Sequence, residues 1–417
     1  MSALGAAATY LRGLRPGLPR DVYVLQAGLV VNAFGNGAAN PFAVLYLHDV
    51  RGIPLAVAGL AGSASAACSL LAAGVAGSLA DRRGARGVMV GGLVVSAAGW
   101  SLYPLVREPW HALALAVLTG TGIGAWLTMQ STMLALIVPA HLRHVAFAQQ
   151  RVAANLGLGL GGFAGGLLIT TAEPATFTAL FLLNAVTFLA YAVVLARLRP
   201  PARPVAGRER GYREVFRDRV FLRVIALNLV LVASVVALLN SMFPVFAKDE
   251  AGVSEDVVGL FFLVNSLVIV GAQLPVARAI EGRRRAHGLA LMCLLFACTW
   301  ALVEVAGLVP AAAAALLLLG VTLLSFGECL YDSIYGPLVA DLAPEGRTGR
   351  YMAASGLSWQ LGFITAPAVG GAILGAEPFA LWPLAAGLAL AAGAYAFRLE
   401  RALPAELRRT PRRTASG

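Results

Sequence analysis

Two acids, Glu328 and Asp332, lie deep inside an otherwise apolar run of the chain, and no other pair of residues invites chemistry as strongly. Counting back from Asp341 at about 1.5 Å per helical residue puts Glu328 roughly 20 Å and Asp332 roughly 14 Å from the end of that run. Their i, i+4 spacing sets them on one helix face. Two carboxylates so placed are not readily ionised together unless a cation is near, so the pair reads as a proton-coupling site. The plainer alternative is a hydrogen-bonded, permanently neutral Glu328 packed against an asparagine. Amides extend the pattern: Asn32, Asn36 and Asn40 recur at intervals of four, Gln150, Arg151 and Asn155 cluster, and Gln360 stands apart. They suit a substrate-cavity wall or interhelical packing. Arg151 is either a counter-charge for the acids or a side chain that snorkels to the interface. Trp126, Tyr331, Tyr335 and Trp359 offer aromatic faces for a lipophilic cation.

Other chemistries find no residues. His48, His111, His141, His144 and His287 all sit at the ends of apolar runs, and neither H-E-x-x-H nor G-x-S-x-G occurs. The chain is therefore expected not to be an enzyme. A P-loop is missing too, so ATP is not implied, and the expectation is no cofactor and no metal. Cys68, Cys293, Cys298 and Cys329 form no C-x-x-C pair and read as small buried hydrophobes.

The elements that must position these residues follow from composition. The 417 residues are 59% apolar and 13% charged, far below the usual quarter of charged residues in a soluble domain. Apolar runs extend from position 21 to 399, which makes the bilayer the solvent. Twelve spans are expected at 21–48, 54–80, 87–106, 110–138, 146–171, 175–197, 220–247, 255–278, 287–307, 310–341, 350–374 and 378–398. A charged, proline-containing linker at 199–219 separates a first bundle, 21–198, from a second, 220–399, with tails at 1–20 and 400–417. The N-terminal tail carries Arg12, Arg15 and Arg20 like a signal peptide, yet the run behind it is too long and is kept as the first span.

The net charge of +11 does not point to nucleic acid. Odd-to-even connections carry Arg51, Arg107 and Lys248, and the other 29 of the 32 basic residues fall on the opposite side. The positive-inside rule then places both termini in the cytoplasm and the chain in the cell membrane as a multi-pass protein. Arg208, Arg210, Arg213, Arg217, Arg219 and Arg223 can touch anionic lipid headgroups or simply be solvated.

The halves repeat. At an offset of 200, Gly59-Leu60 lies over Gly259-Leu260 and Asp81-Arg82-Arg83 over Glu281-Gly282-Arg283; at 205, Gly122 lies over Gly327, Pro139 over Pro344, Asn155 over Gln360, and Gly165-Gly166 over Gly370-Gly371. Parallel six-helix repeats imply a pseudo-two-fold axis along the membrane normal and a cavity at mid-depth.

The segment Gly77-Ser-Leu-Ala-Asp81-Arg82-Arg83-Gly84-Ala85-Arg86 resembles the G-x-L-x-D-R-x-G-R-R loop of the major facilitator superfamily, with Ala85 in place of one arginine. Gly157-Leu-Gly-Leu-Gly161-Gly162-Phe-Ala-Gly165-Gly166 is similar to the G-x-x-x-G-P-x-x-G-G pattern of its drug:proton antiporter branch. Gly362-Phe-Ile-Thr-Ala366-Pro367-Ala-Val-Gly370-Gly371 repeats it. The resemblance covers roughly residues 20 to 400. It implies an all-α membrane fold of twelve transmembrane helices in two six-helix bundles, with Gly77, Asp81, Arg82, Gly84 and Arg86 forming a conformational latch. The glycines and Pro367 would be a packing surface where backbones approach and slide. Three departures stand against the antiporter pattern: the fourth span has no arginine, the first has no acid beyond its opening Asp21, and Leu136 occupies the position matching Asp341. The expected function is export of a small amphipathic, cationic compound in exchange for protons by alternating access; the alternative is a facilitator or proton-coupled importer of a small polar solute. The expected partners are that small molecule, protons and membrane lipids, with no nucleic acid and a monomeric state.

Overall fold

The computed structural model describes residues 18–138, 142–198, 212–344 and 347–410. In lipid every backbone N–H and C=O must be satisfied within the segment, and long helices result. The twelve are α1 (Arg20–Leu45), α2 (Leu55–Arg83), α3 (Ala85–Leu102), α4 (Pro109–Ile137), α5 (Arg143–Leu168), α6 (Pro174–Arg197), α7 (Arg219–Leu231), α8 (Glu255–Ala279), α9 (Arg285–Leu308), α10 (Ala313–Leu342), α11 (Thr348–Ala376) and α12 (Leu381–Ala402). A π-turn, Val232–Val236, carries α7 on through Ala237–Ser241 and Phe243–Asp249. The expected linker falls mostly, and the tails largely, outside the described residues. No strand is formed among the described residues beyond an isolated bridge between Arg284 and Arg409.

Among the described residues, nine helices are long and apolar enough to cross a membrane by length and composition. The other three, α1, α5 and α12, are diluted by polar residues: Asn32, Asn36 and Asn40; Arg151 and Asn155; Arg398, Glu400 and Arg401.

Within the first half α1 packs on α5 and α6, and α4 on α2 and α3; within the second, α9 packs on α10 and α12, and α8 on α10. The halves meet along α2 with α11 and α5 with α8. Both seams are closed by glycine. A Cβ on Gly166 would stand 2.5 Å from Glu255 O and 2.7 Å from the Gly259 Cα, and one on Gly371 would stand 2.4 Å from Leu55 O and 3.2 Å from the Gly59 Cα. Gly59 and Gly259, like Gly166 and Gly371, are repeat mates, so the two seams are one contact used twice. The turns repeat as well: Gly52 and Gly252 adopt φ of 65° and 66°, and Gly84 and Gly282 adopt 80° and 71°, a region open chiefly to glycine.

The seams lie toward the face that carries the Gly52 and Gly252 turns. There Lys248 pairs with Asp49, and Thr171 donates to the Glu255 carboxylate from its backbone N–H (3.1 Å) and its hydroxyl (3.0 Å). At the opposite, basic face the described ion pairs do not join the two bundles: Arg284 pairs with Glu400 and Arg285 with Asp341, while Arg347 pairs with Glu214 of the linker. Thr410 ties the chain beyond α12 to the α8–α9 turn, its N–H donating to Arg283 O (3.0 Å) and its carbonyl accepting from Gly282 N–H (3.2 Å).

Candidate functional site

A cavity of about 500 Å³ separates the halves, walled by α1 and α5 on one side and by α7, α8, α10 and α11 on the other. Glu328 and Asp332 both face it, one turn apart on α10, but they are held differently. Asn265 of α8 donates through Nδ2 to a Glu328 carboxylate oxygen at 2.6 Å and to Ser325 Oγ at 3.0 Å. Asp332 instead takes the guanidinium of Arg151 from α5, so this ion pair spans the two halves. Arg151 thus ion-pairs with one of the two acids, Asp332. A buried charge left unpaired costs several kcal/mol, which accounts for the arginine.

The aromatic wall is pinned by its own hydrogen bonds. Trp359 Nε1–H donates to Tyr331 OH (2.8 Å), Tyr331 OH donates to Asn228 Oδ1 (2.6 Å), and Asn228 Nδ2 donates to Ser358 Oγ (2.6 Å). Rings fixed in this way form a rigid aromatic surface on the cavity wall.

Of the expected cavity residues, Asn36, Asn40, Arg151, Asn155, Tyr331 and Trp359 line this space, and Gln360 lines an adjoining one. Four do not. Asn32 is fully buried and accepts from Asn36 Nδ2 through its carbonyl (3.0 Å) and its Oδ1 (3.2 Å). Gln150 sits about 100° around the helix from Arg151, and its Oε1 is buried without a partner among the described residues. Trp126 turns into the first half against Phe188 of α6, ring centroids 6.0 Å apart. Tyr335 stacks beneath Tyr331 at 5.1 Å and bonds Ser355 Oγ, out of the wall. Type and spacing identified these side chains, but the face each presents depends on packing. Sequence reasoning missed Asn265, Asn240, Phe262, Ser266 and Phe363. Two signals were present: Asn265 is an amide within an apolar span, and Asn240 is the repeat mate of Asn40.

The expected latch falls partly outside view, because the Asp81 side chain lies outside the described residues. Gly84 makes the turn after α2, Arg82 is exposed, and space around Gly77 is open. Arg86 donates to Leu198 O at 2.6 Å, satisfying a carbonyl at the end of α6 in its own half. The glycine pattern divides its work: Gly157, Gly161 and Gly165 press on α1, Gly362 and Gly370 on α7, while Gly166, Pro367 and Gly371 close the seams between halves.

Near the seams, His48, Asp49 and Asp249 bring ligand atoms within 4.8 Å of one another. The Lys248 ammonium bonds Asp49 and stands 3.5 Å from Asp249, so the cluster has an internal cation. Burial, then the nearby Asp49 charge, pushes the Asp249 carboxyl up to about 6.

Two related helical halves around a mid-depth cavity that holds acids and amides define a secondary transporter. The model of the Major Facilitator Superfamily matches residues 26–321 and again 225–416, and the chain belongs to that superfamily. It is a transporter, not an enzyme. Relatives include the multidrug resistance protein MdtH of Klebsiella pneumoniae (strain 342), 27% identical over 303 residues that make up 71% of this chain and 72% of MdtH. The MFS-type transporter YhjO of Bacillus subtilis (strain 168) is 21% identical over 351 residues, 83% of this chain and 84% of YhjO. Among solved structures, a variant of the nucleoside transporter NupG superposes with a TM-score of 0.77 at 12% identity, covering 91% of this chain and all of NupG. A D-xylose–proton symporter gives 0.73 at 15%, covering 93% and 99%. Those likenesses show the fold.

Proposed function

We propose that the protein exports a small amphipathic cation in exchange for protons by alternating access. One observation supports this reading: of the two acids in the cavity, Asp332 is ion-paired with Arg151, whereas Glu328 accepts from the Asn265 amide and forms no ion pair among the described residues. An acid at mid-membrane is costly as an anion, so it carries a proton when the cavity is empty. A cationic compound beside it lowers the cost of the anion and the proton leaves. Substrate on Glu328 and proton on Glu328 are both neutral loads, and either can cross as the halves rock. The relation to MdtH, named a multidrug resistance protein, supports efflux. The 29-to-3 distribution of basic residues supports a cytoplasmic basic face; with the seams closed at the other face, this conformation loads from inside.

The test is proton flux on substrate addition in vesicles, at matched protein level. Glu328→Gln keeps the volume and hydrogen bonding of the protonated acid and should fold, reach the membrane and lose the flux. Asp332→Asn should weaken it less. Normal flux from Glu328→Gln would overturn the assignment and favour a facilitator. For orientation, cysteines at Arg51 and Glu377 should react with an impermeant reagent in sealed cells, and cysteines at Arg83 and Arg284 should not.

A further inference from the structure

The amides around the central cavity are oriented by their own hydrogen bonds, and all in the same sense. Asn36 spends its Nδ2 on Asn32, donating to the backbone carbonyl at 3.0 Å and to Oδ1 at 3.2 Å. Asn240 spends its Nδ2 on Val236 O at 2.8 Å. Asn265 donates to Glu328 at 2.6 Å and to Ser325 Oγ at 3.0 Å, and that hydroxyl already gives its proton to Val321 O at 2.7 Å. Backbone carbonyls and a spent hydroxyl only accept, so in each amide the nitrogen must lie on that side and Oδ1 on the other. The three Oδ1 atoms have no hydrogen-bond partner among the described residues, and all three residues line the cavity. Neighbouring donors are committed as well. Trp359 N–H goes to Tyr331 and the Tyr331 hydroxyl to Asn228. Arg151 pairs with Asp332 about 12 Å along α5, nearer the basic face than the amides. Asn40, Asn155 and Ser266 keep groups that donate or accept as a ligand requires. The deep part of the cavity therefore offers more acceptors than donors.

Counted from the basic ends of their helices at about 1.5 Å per residue, Asn36 lies about 24 Å deep, Asn265 about 21 Å and Glu328 about 20 Å. Acceptors from the two halves thus stand at one level, with the rings of Tyr331 and Trp359 in the same wall. We infer that the charged head of the transported compound is a planar cation rich in N–H groups, a guanidinium or amidinium, rather than a quaternary ammonium. A guanidinium accepts nothing and donates in a fixed fork, so one edge meets the Glu328 carboxylate while the remaining N–H groups reach the Asn36 and Asn265 oxygens. Its plane stacks on an aromatic face, and it sheds water more readily than an ammonium does. A quaternary ammonium would desolvate the same oxygens and give them no donor, and an acceptor left unmet in this way is costly. The inference rests on the proposed cation site and narrows the cation that the site takes.

The experiment is titration calorimetry on the purified full chain with three probes built on one ring: benzylguanidinium, benzyltrimethylammonium and the uncharged benzylurea. The wild type should bind benzylguanidinium about tenfold or more tighter than benzyltrimethylammonium. Asn36→Leu keeps the volume and removes the oxygen. It should weaken benzylguanidinium by about tenfold and benzylurea by about fivefold, and benzyltrimethylammonium by far less. Asn36→Ala makes the same comparison if Asn36→Leu unfolds, and the wild-type ranking needs no variant. Equal wild-type affinity for the two cations, or equal weakening of both by the Asn36 variants, would overturn the inference. Glu328→Gln tells this failure from that of the cation site. If it weakens two cations that the wild type binds equally, the cation site stands and the guanidinium head is wrong. If it leaves both cations unaffected, the cation site itself fails, while the response of benzylurea to Asn36→Leu still reports on the amide oxygens.

Discussion

The acid site on α8 and α10 and the uncharged corner lined by α2 and α4 are mates under the internal repeat, and they differ at the positions that carry the charge. Glu328 is answered by Ile123, Asp332 by Leu127 and Asn265 by Ser65. Duplication supplies two equivalent corners of one cavity, but an ion in the membrane is costly and two acidic corners facing each other would repel. Concentrating charge in one corner leaves the other uncharged. A second pair of mates shows the same asymmetry at the basic face. Arg285 is 1% exposed and bonded to Asp341, whereas Ala85 and Leu136 stand in their places in the first half. Both partners are missing together, as expected when either alone would be a buried unpaired charge.

Copying the acid across the repeat should break the contrast most severely. Ile123→Glu places a carboxylate where neither an Asn265 nor an Arg151 equivalent waits, and it should cost about 3 kcal/mol or more of stability, read as a fall in folded yield and thermal midpoint. Asp341→Asn strands the Arg285 guanidinium and should cost about 3 kcal/mol. Arg285→Met should cost less, because Asp341 keeps 34% side-chain exposure and can be hydrated. The double change Arg285→Ala with Asp341→Leu reproduces the pair in the first half and should recover most of the loss in thermal denaturation. Where the halves are alike, matched changes should act alike: Gly166→Ala and Gly371→Ala should each loosen one seam and shift inter-label distances by similar amounts. Unequal shifts would show that the two seams are not equivalent.

The smallest effect expected is with pH. The Asp249 carboxyl, facing Asp49, His48 and Lys248, is raised to about 6, so its favourable contribution to this closed face is complete below the ordinary carboxylate range. It is lost as pH rises through about 6, with a magnitude of about 1 kcal/mol or less at such a partly solvated site. Distances across the seam should lengthen over that interval in the native protein and stay flat in Asp249→Asn.

Much of the fold was legible because lipid leaves few options: α4 was expected at 110–138 and runs Pro109–Ile137, and α9 was expected at 287–307 and runs Arg285–Leu308. The π-turn at Val232–Val236 was not legible, since its residues are as apolar as their neighbours. The site was half legible. Depth and spacing singled out Glu328 and Asp332, but which acid takes Arg151 depends on how α5 and α10 approach across the halves. Trp126 and Tyr335 were misplaced because an aromatic residue's type does not reveal its helix face.

Thr410 offers a practical handle. Its paired hydrogen bonds to the α8–α9 turn fasten the segment beyond α12 to the second half, so a rigid fluorophore attached there would report the orientation of that half. With a partner dye on the α2–α3 turn near Gly84, the chain would carry its own goniometer, and the rotation of one half against the other during a single transport cycle would be read as an angle.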